Sequence, residues 1–223
     1  MADSQRHGGP SLSLLAVTCI ALLFGGLAIG VALGGLMPLP YGPIGPVQHY
    51  VQTQPLAVRI IAVAVFGSSV LLAVYAATVS ARLRWLGVTG AGPTIALTGG
   101  ILAAGSLGLT GLLGWTLSRP EITGDTTLVR AVYLLTFLVG GAAHVVALGV
   151  LIAGIATSGL ALGLLPRAMA WVGIAIATLC ELTMLVLAWQ PLGAALPVAR
   201  VAALAWLLVA GALLPTRRND STG

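Results

Sequence analysis

Two ionisable side chains stand inside apolar stretches of the chain and could carry chemistry. His144 lies in GGAAHVVALG and Glu181 lies in ATLCELTMLV. A charge at the centre of a bilayer costs about 3 kcal/mol on insertion scales, so such residues usually face a bundle interior and find partners. A His–Glu pair could relay protons, or it could anchor the polar group of a ligand in an apolar pocket. It could equally be a buried hydrogen bond that holds two helices in register.

Counting along the chain places both residues at a similar depth. Glu181 lies 14 residues after Arg167, or about 21 Å of helix, and His144 lies 13 residues before Thr157, or about 20 Å. The two helices concerned are consecutive and therefore antiparallel. We predict a His144–Glu181 pair.

The composition indicates a membrane protein. Hydrophobic residues make up 58% of the 223 residues and charged residues 7%, whereas soluble domains carry about 25% charged residues. A membrane-crossing helix needs about 20 apolar residues. Six segments qualify, and they predict an all-α bundle of six transmembrane helices: Leu12 to Leu36, Leu56 to Val79, Pro93 to Leu117, Leu128 to Ala156, Ala168 to Trp189 and Val198 to Leu214.

The arginines indicate an orientation. With both termini inside, the inner set is Arg6, Arg82, Arg84, Arg167, Arg217 and Arg218, and the outer set is Arg59, Arg119, Arg130 and Arg200. The positive-inside rule favours this arrangement. We therefore expect a multi-pass protein of the bacterial inner membrane, with a cytoplasmic tail at 1–11, a transmembrane domain at 12–215 and a second cytoplasmic tail at 216–223.

Arg59, Arg130 and Arg200 each stand at the start of an even-numbered span, about 70 residues apart. This spacing suggests three helical hairpins in tandem, although any outer helix start needs a polar anchor. In the proline-rich loop MPLPYGPIGPVQHYVQTQP, residues 47–54 could form a short amphipathic turn. His49 and Tyr50 could then line an outer mouth with the three arginines, or they could be ordinary interfacial groups.

Small residues at helical spacing predict close helix packing. One set is Gly26, Gly30 and Gly34 on the first span, and the other is Gly100, Ala104 and Gly108 on the third. A compact monomeric bundle and a glycine-mediated dimer both fit these sets. Neither identifies a reaction.

The sequence gives little support to an enzyme. It contains no HExxH, GxSxG or P-loop motif, and Cys19 and Cys180 form neither a CxxC motif nor a disulfide framework. We expect no metal, no cofactor and, because the arginines form no dense stripe, no nucleic-acid partner.

Four stretches resemble a family of uncharacterised actinobacterial membrane proteins: YAATVSARLRWLG, LSRPEITGDTTLVRAVYLLTF, GGAAHVVALGVLIAGIA and LLPRAMAWVGIAIATLCELTMLVLAW. The resemblance covers nearly the whole chain and is weakest in the proline-rich loop. It implies a six-helix integral membrane protein with a conserved domain of unknown function, and it implies no catalytic residue.

From the residues we expect a non-enzymatic membrane protein that binds a lipid-like or small apolar ligand, or a membrane protein partner, through its bundle. The alternative is a small proton-coupled carrier that uses Glu181 and His144. A membrane-embedded enzyme is the third interpretation.

Overall fold

A computed structural model of the chain describes residues 10–39 and 41–215. These residues contain six helical spans long and apolar enough to cross a membrane, which confirms the predicted all-α bundle. Spans 1 to 6 are Leu12–Gly34, Pro55–Trp85, Gly92–Leu117, Thr126–Ala161, Arg167–Leu187 and Gln190–Leu213. Residues 1–9 and 216–223 lie outside the described residues, so both predicted tails stay predictions.

Three of the spans are single α-helices: α1 (Leu12–Gly34), α3 (Pro55–Trp85) and α4 (Gly92–Leu117). Span 4 combines α6 (Thr126–Leu138), a π-helical segment (Val139–Ala143) and α7 (His144–Ala161). Span 5 is α8 (Arg167–Leu182) followed by a 3-10 turn (Thr183–Leu187), and span 6 is a 3-10 turn (Gln190–Ala194) followed by α9 (Ala195–Leu213). The short helices α2 (Ile44–Thr53) and α5 (Pro120–Thr123) lie between spans.

Local sequence signals set several helix ends. The Asp125 carboxylate caps α6 by accepting the backbone N–H groups of Thr127 at 2.7 Å and Leu128 at 3.2 Å. Span 1 ends at Gly35, whose φ of 76° lies in the left-handed region that glycine adopts without strain. Pro55 occupies the first turn of α3, where the missing N–H of proline costs nothing.

The outer surface of the bundle is apolar. Leu14, Val63, Leu187 and Val198 are each more than 60% exposed. Exposing so many large apolar side chains to water would be unfavourable in free energy, whereas lipid tails solvate them. The chain is therefore an integral membrane protein that crosses the bilayer several times.

Span 2 packs against spans 1 and 3, span 4 against spans 3 and 5, and span 6 closes the bundle on spans 1 and 5. At one end, the predicted amphipathic turn is confirmed as α2, with Val47, Tyr50 and Val51 buried. There the side-chain amides of Gln48 and Gln52 donate to the Thr123 carbonyl at 3.1 and 2.8 Å. We call this end of the bundle the α2 end.

Most span ends differ from the prediction by a few residues, and for two of them the structure shows the reason. Span 2 runs past Val79 to Trp85 because the polar residues there are buried by neighbours: the Ser80 hydroxyl donates to the Pro93 carbonyl at 2.7 Å, and Arg82 is 3% exposed. The helix α9 begins at Ala195 rather than Val198. Pro197 lies in its first turn, where proline is tolerated.

The glycine sets of spans 1 and 3 both face span 2. A Cβ atom at Gly26 would meet Ala64, one at Gly34 would lie 2.9 Å from the Cβ of Ala57, and one at Gly108 would lie 3.0 Å from the Ser69 hydroxyl. In the same way Gly30 faces Ile61 and Gly100 faces Ala76, while Ala104 is buried. Span 2 is therefore held between two glycine-bearing helices.

Spans 3 and 4 approach each other at glycines that the sequence interpretation did not single out. A Cβ atom at Gly154 would lie 2.5 Å from the backbone nitrogen of Ala96 and 2.7 Å from the Gly92 carbonyl oxygen. Both obstacles are backbone atoms, which cannot rotate away. These two spans therefore pack backbone to backbone.

Candidate functional site

His144 is fully buried and contacts span 3. It begins α7, directly after the π-helical segment, and its Nδ1 lies 2.9 Å from the Ala103 carbonyl oxygen. Since a carbonyl only accepts, Nδ1 carries the proton and donates. The other ring nitrogen, Nε2, is buried and has no hydrogen-bond partner.

Glu181 is half-buried and lies on the other side of α7. Its Oε1 would be 2.9 Å from a Cβ atom placed at Gly149, so the carboxylate sits in the space that this glycine leaves. No hydrogen bond or ion pair joins Glu181 to another of the described residues.

The structure does not bring His144 and Glu181 into contact. Equal depth along the membrane normal was the basis of the predicted pair, and depth does not fix the direction in which a side chain points. His144 and Gly149 are five residues apart on α7, so their directions differ by about 140°. His144 faces span 3, whereas Gly149 faces Glu181. A functional role for either residue stays a prediction.

Within the described residues, no hydrogen bond or ion pair joins the five residues predicted for an outer mouth, whose role stays a prediction. His49, Arg59 and Arg130 are exposed on separate helices. Tyr50 is buried and its hydroxyl donates to the Gly35 carbonyl at 3.1 Å, and burial raises the pKa of this phenol above its ordinary value. Arg200 lies inside the bundle.

Arg200 meets an irregular point in span 4. In an α-helix the Gly140 carbonyl would accept the N–H of His144, four residues later. Here that N–H is directed to the carbonyls of Val139 and Gly141, in keeping with the π-helical segment. The Nη2 of Arg200 donates to the Gly140 carbonyl in its place. A glycine pair in span 4 and an arginine in span 6 thus create one polar contact.

A cavity of about 660 Å³ adjoins this contact. We call it the Arg200 cavity. Its lining is drawn from all of the spans except span 5, and from the segments before α2 and α9: Leu23, Phe24, Leu27, Leu39, Tyr41, Val65, Leu107, Thr110, Thr136, Phe137, Gly140, Gly141, Gln190, Pro191, Gly193, Ala194, Leu196, Pro197, Arg200 and Val201. Leu27 of span 1 and Val201 of span 6 are 46% and 52% exposed, and Leu39 before α2 is 78% exposed. The cavity therefore opens at the bundle surface between spans 1 and 6 and also towards the α2 end.

The cavity offers few polar groups. The hydroxyls of Thr110 and Thr136 already donate to carbonyls of their own helices, at 2.8 Å to Ser106 and 2.7 Å to Val132. Gln190 and Tyr41 lie near the α2 end, where the Tyr41 and Phe137 rings pack edge to face with centroids 5.3 Å apart. Arg200 is the one charged residue among those that line the cavity.

Sequence reasoning missed the π-helical segment, Phe137 and the turn at 190–194. The adjacent glycines Gly140 and Gly141 in the middle of a span were the available signal, because π segments often mark functional sites. Within the described residues, no three His, Cys, Asp or Glu side chains lie close enough together to hold a metal ion.

Comparisons with protein-family models, with curated proteins and with solved structures found no match to this chain. What the protein does must therefore be argued from its own residues.

Proposed function

We propose that this membrane protein is non-enzymatic and binds one lipid-like molecule in the Arg200 cavity. The observation that carries the proposal is the cavity itself. Its volume of about 660 Å³ lies within the range of about 300–1,000 Å³ that is usual for pockets holding single small molecules. Its walls are mostly leucine, valine, phenylalanine, proline, alanine and glycine, with two threonines, one tyrosine, one glutamine and one cationic group.

The position of the opening supports a ligand drawn from the bilayer. The exposed side chains of Leu27 and Val201 border it, and both belong to helices whose surfaces face lipid tails. An apolar molecule dissolved in the membrane could enter between spans 1 and 6 without crossing water. Because lipid tails already solvate such a chain, the binding free energy would come from close van der Waals packing against the lining and from the polar contact with Arg200.

The proposal includes a location. We propose the bacterial inner membrane, with both termini in the cytoplasm and the α2 end outside, because the predicted inner segments carry more arginines than the outer ones. The relationship to actinobacterial membrane proteins also remains a proposal, supported by the quoted sequence stretches alone.

A proton-coupled carrier based on Glu181 and His144 has less support. Such a relay needs the two groups to exchange a proton directly or through water. His144 instead donates to the Ala103 carbonyl, and the rotation of about 140° along α7 turns the two side chains to different neighbours. The proton-coupled carrier is the alternative function if the cavity holds no ligand.

The test is native mass spectrometry of the protein extracted gently from its own membranes. Gly193 lines the cavity, and a Cβ atom there would meet nothing closer than 3.7 Å, so Gly193→Phe should obstruct the cavity beside Phe137 and Tyr41 without disturbing the backbone. Gly105→Phe is the matched control, because Gly105 is exposed on span 3 and a Cβ atom there meets nothing within 4 Å.

We expect an added mass of lipid size on the wild-type protein and on Gly105→Phe, and its loss from Gly193→Phe. An added mass that survives in Gly193→Phe would place the ligand elsewhere and contradict the proposal. A wild-type protein with no added mass, which also takes up no single-chain amphiphile when one is supplied, would contradict it as well.

A further inference from the structure

We infer that the ligand of the Arg200 cavity is a single-chain amphiphile with a carboxylate head, and that the carboxylate pairs with Arg200. This inference rests on the proposed function and adds the chemistry of the ligand to it. The inference is based on the charge of Arg200 and on its unused hydrogen-bond donors, rather than on the shape of the cavity.

The guanidinium of Arg200 lacks a counter-ion within the described part of the chain. The one ion pair found there joins Arg119 to Glu121, and Glu181 packs at Gly149 on the far side of α7. The group that Arg200 does contact, the Gly140 carbonyl, is a dipole without net charge. A cation in an apolar site is costly unless an anion accompanies it, so the site is electrostatically complementary to an anion.

The donors of Arg200 are also underused. A guanidinium has five N–H groups. In the described residues one nitrogen, Nη2, has a protein acceptor, whereas Nε is buried without a partner and Nη1 makes no hydrogen bond. The free N–H groups of Nη1 and Nη2 form the end of the guanidinium fork. Two parallel hydrogen bonds from such a fork fit the two oxygens of a carboxylate.

The remaining lining argues for a small head group and a single chain. A phosphate with further substituents would bring several acceptors and donors, and the only hydroxyls deep in the cavity, those of Thr110 and Thr136, already donate to backbone carbonyls. A carboxylate needs little more than the guanidinium. The cavity volume suits one drug-sized molecule, and the two acyl chains of a membrane phospholipid would exceed it.

The test compares three probes that share one acyl chain: palmitate, neutral monopalmitoylglycerol and the monopalmitoyl ester of glycerol phosphate. The dissociation constant of each is measured at pH 8 for the full-length protein in nanodiscs. We expect palmitate to bind about ten to a hundred times more tightly than monopalmitoylglycerol, the factor typical of a hydrogen bond to a charged group. In Arg200→Gln, the affinity for palmitate should fall to that of the neutral probe. Arg200→Lys keeps the charge but lacks the two parallel donors, so it should keep only part of the preference for palmitate.

Each outcome is decisive, and the neutral probe also reports whether a variant still has an intact cavity. Equal affinity for palmitate and monopalmitoylglycerol in the wild-type protein would overturn the inference while leaving the proposed function standing. Tighter binding of the phosphate probe than of palmitate would overturn the carboxylate assignment. If no probe binds, or if Gly193→Phe fails to exclude all three, the proposed function fails with it.

Discussion

At the residue scale, the side chain of His144 is fixed in place by the packing around it. Its ring is fully buried, Nδ1 donates to Ala103, and Nε2 is left without a partner. A buried polar atom without a hydrogen bond costs about 1–3 kcal/mol. The hydrogen bond from Nδ1 to the Ala103 carbonyl of span 3 offsets part of this cost and fixes the orientation of the ring.

The separation of His144 from Glu181 gives a prediction about energetic coupling. Since the two side chains do not touch, the effects of His144→Leu and Glu181→Gln on unfolding free energy should add within about 0.5 kcal/mol in the double variant. We also expect His144→Leu alone to change stability more than Glu181→Gln, because His144 is fully buried and Glu181 is half-buried. Denaturant unfolding of the four proteins in mixed micelles would measure this.

A coupling free energy above about 1 kcal/mol would speak for the direct pair that depth alone predicted. It would return the carrier hypothesis to first place. The control is Thr178→Val on the exposed side of α8, which should not couple to His144.

At the scale of the elements, span 4 is an interrupted helix rather than a uniform one. Its 36 residues include the π-helical segment Val139–Ala143, after which the N–H of His144 is directed to the carbonyls of Val139 and Gly141. The Gly140 carbonyl of this segment accepts a hydrogen bond from Arg200. The irregularity in span 4 thus lies at the point where the charged side chain of span 6 makes its hydrogen bond.

The contact between spans 3 and 4 gives a prediction about helix packing. In Gly154→Ala, the new methyl group would press on the backbone of Ala96 and Gly92, so we expect a loss of about 1–3 kcal/mol and a lower melting temperature. Gly105→Ala adds the same methyl group where nothing lies within 4 Å and should be neutral or stabilise by about 0.5–1 kcal/mol. Thermal unfolding in nanodiscs compares the two, and equal melting temperatures would show that spans 3 and 4 do not pack in this way.

The sequence was most informative about where the helices lie along the chain and least informative about which face of each helix points into the bundle. An apolar run of about 20 residues is a strong and local signal, so the six spans could be predicted with ends a few residues off. The extension of span 2 depends on the burial of Arg82 by other helices, which no local pattern contains. To predict the Arg200 cavity, one must also know which face of span 4 and which face of span 6 points into the bundle. Depth can be counted along the chain, but the face that points inward follows from packing.

At the scale of the whole molecule, the six spans put both ends of the described chain on the same side of the membrane. The proposed orientation places that side in the cytoplasm. Two exposed glycines provide the means to test it, since Gly124 lies at the α2 end, Gly90 lies at the opposite end, and a Cβ atom at either meets nothing within 4 Å.

A membrane-impermeant maleimide should label Gly124→Cys in intact cells and should label Gly90→Cys only after the membrane is disrupted. The two native cysteines, Cys19 and Cys180, are 2% and 0% exposed, so the wild-type protein serves as the unlabelled control. The reverse labelling pattern would invert the orientation without affecting the bundle.

The length of span 2 has a consequence for the membrane around the protein. Its 31 residues measure about 46 Å, whereas the hydrocarbon core of a bilayer is about 30 Å thick. Its apolar part, Leu56 to Val79, measures about 36 Å, so the helix can fit the core by tilting, and such a tilt changes with bilayer thickness. Because spans 1 and 3 are held to span 2 at their glycines, the three helices should lean together, carrying Phe24 and Leu107 on one wall of the cavity. Lipid chain length thereby becomes a means of widening or narrowing that cavity from outside the protein.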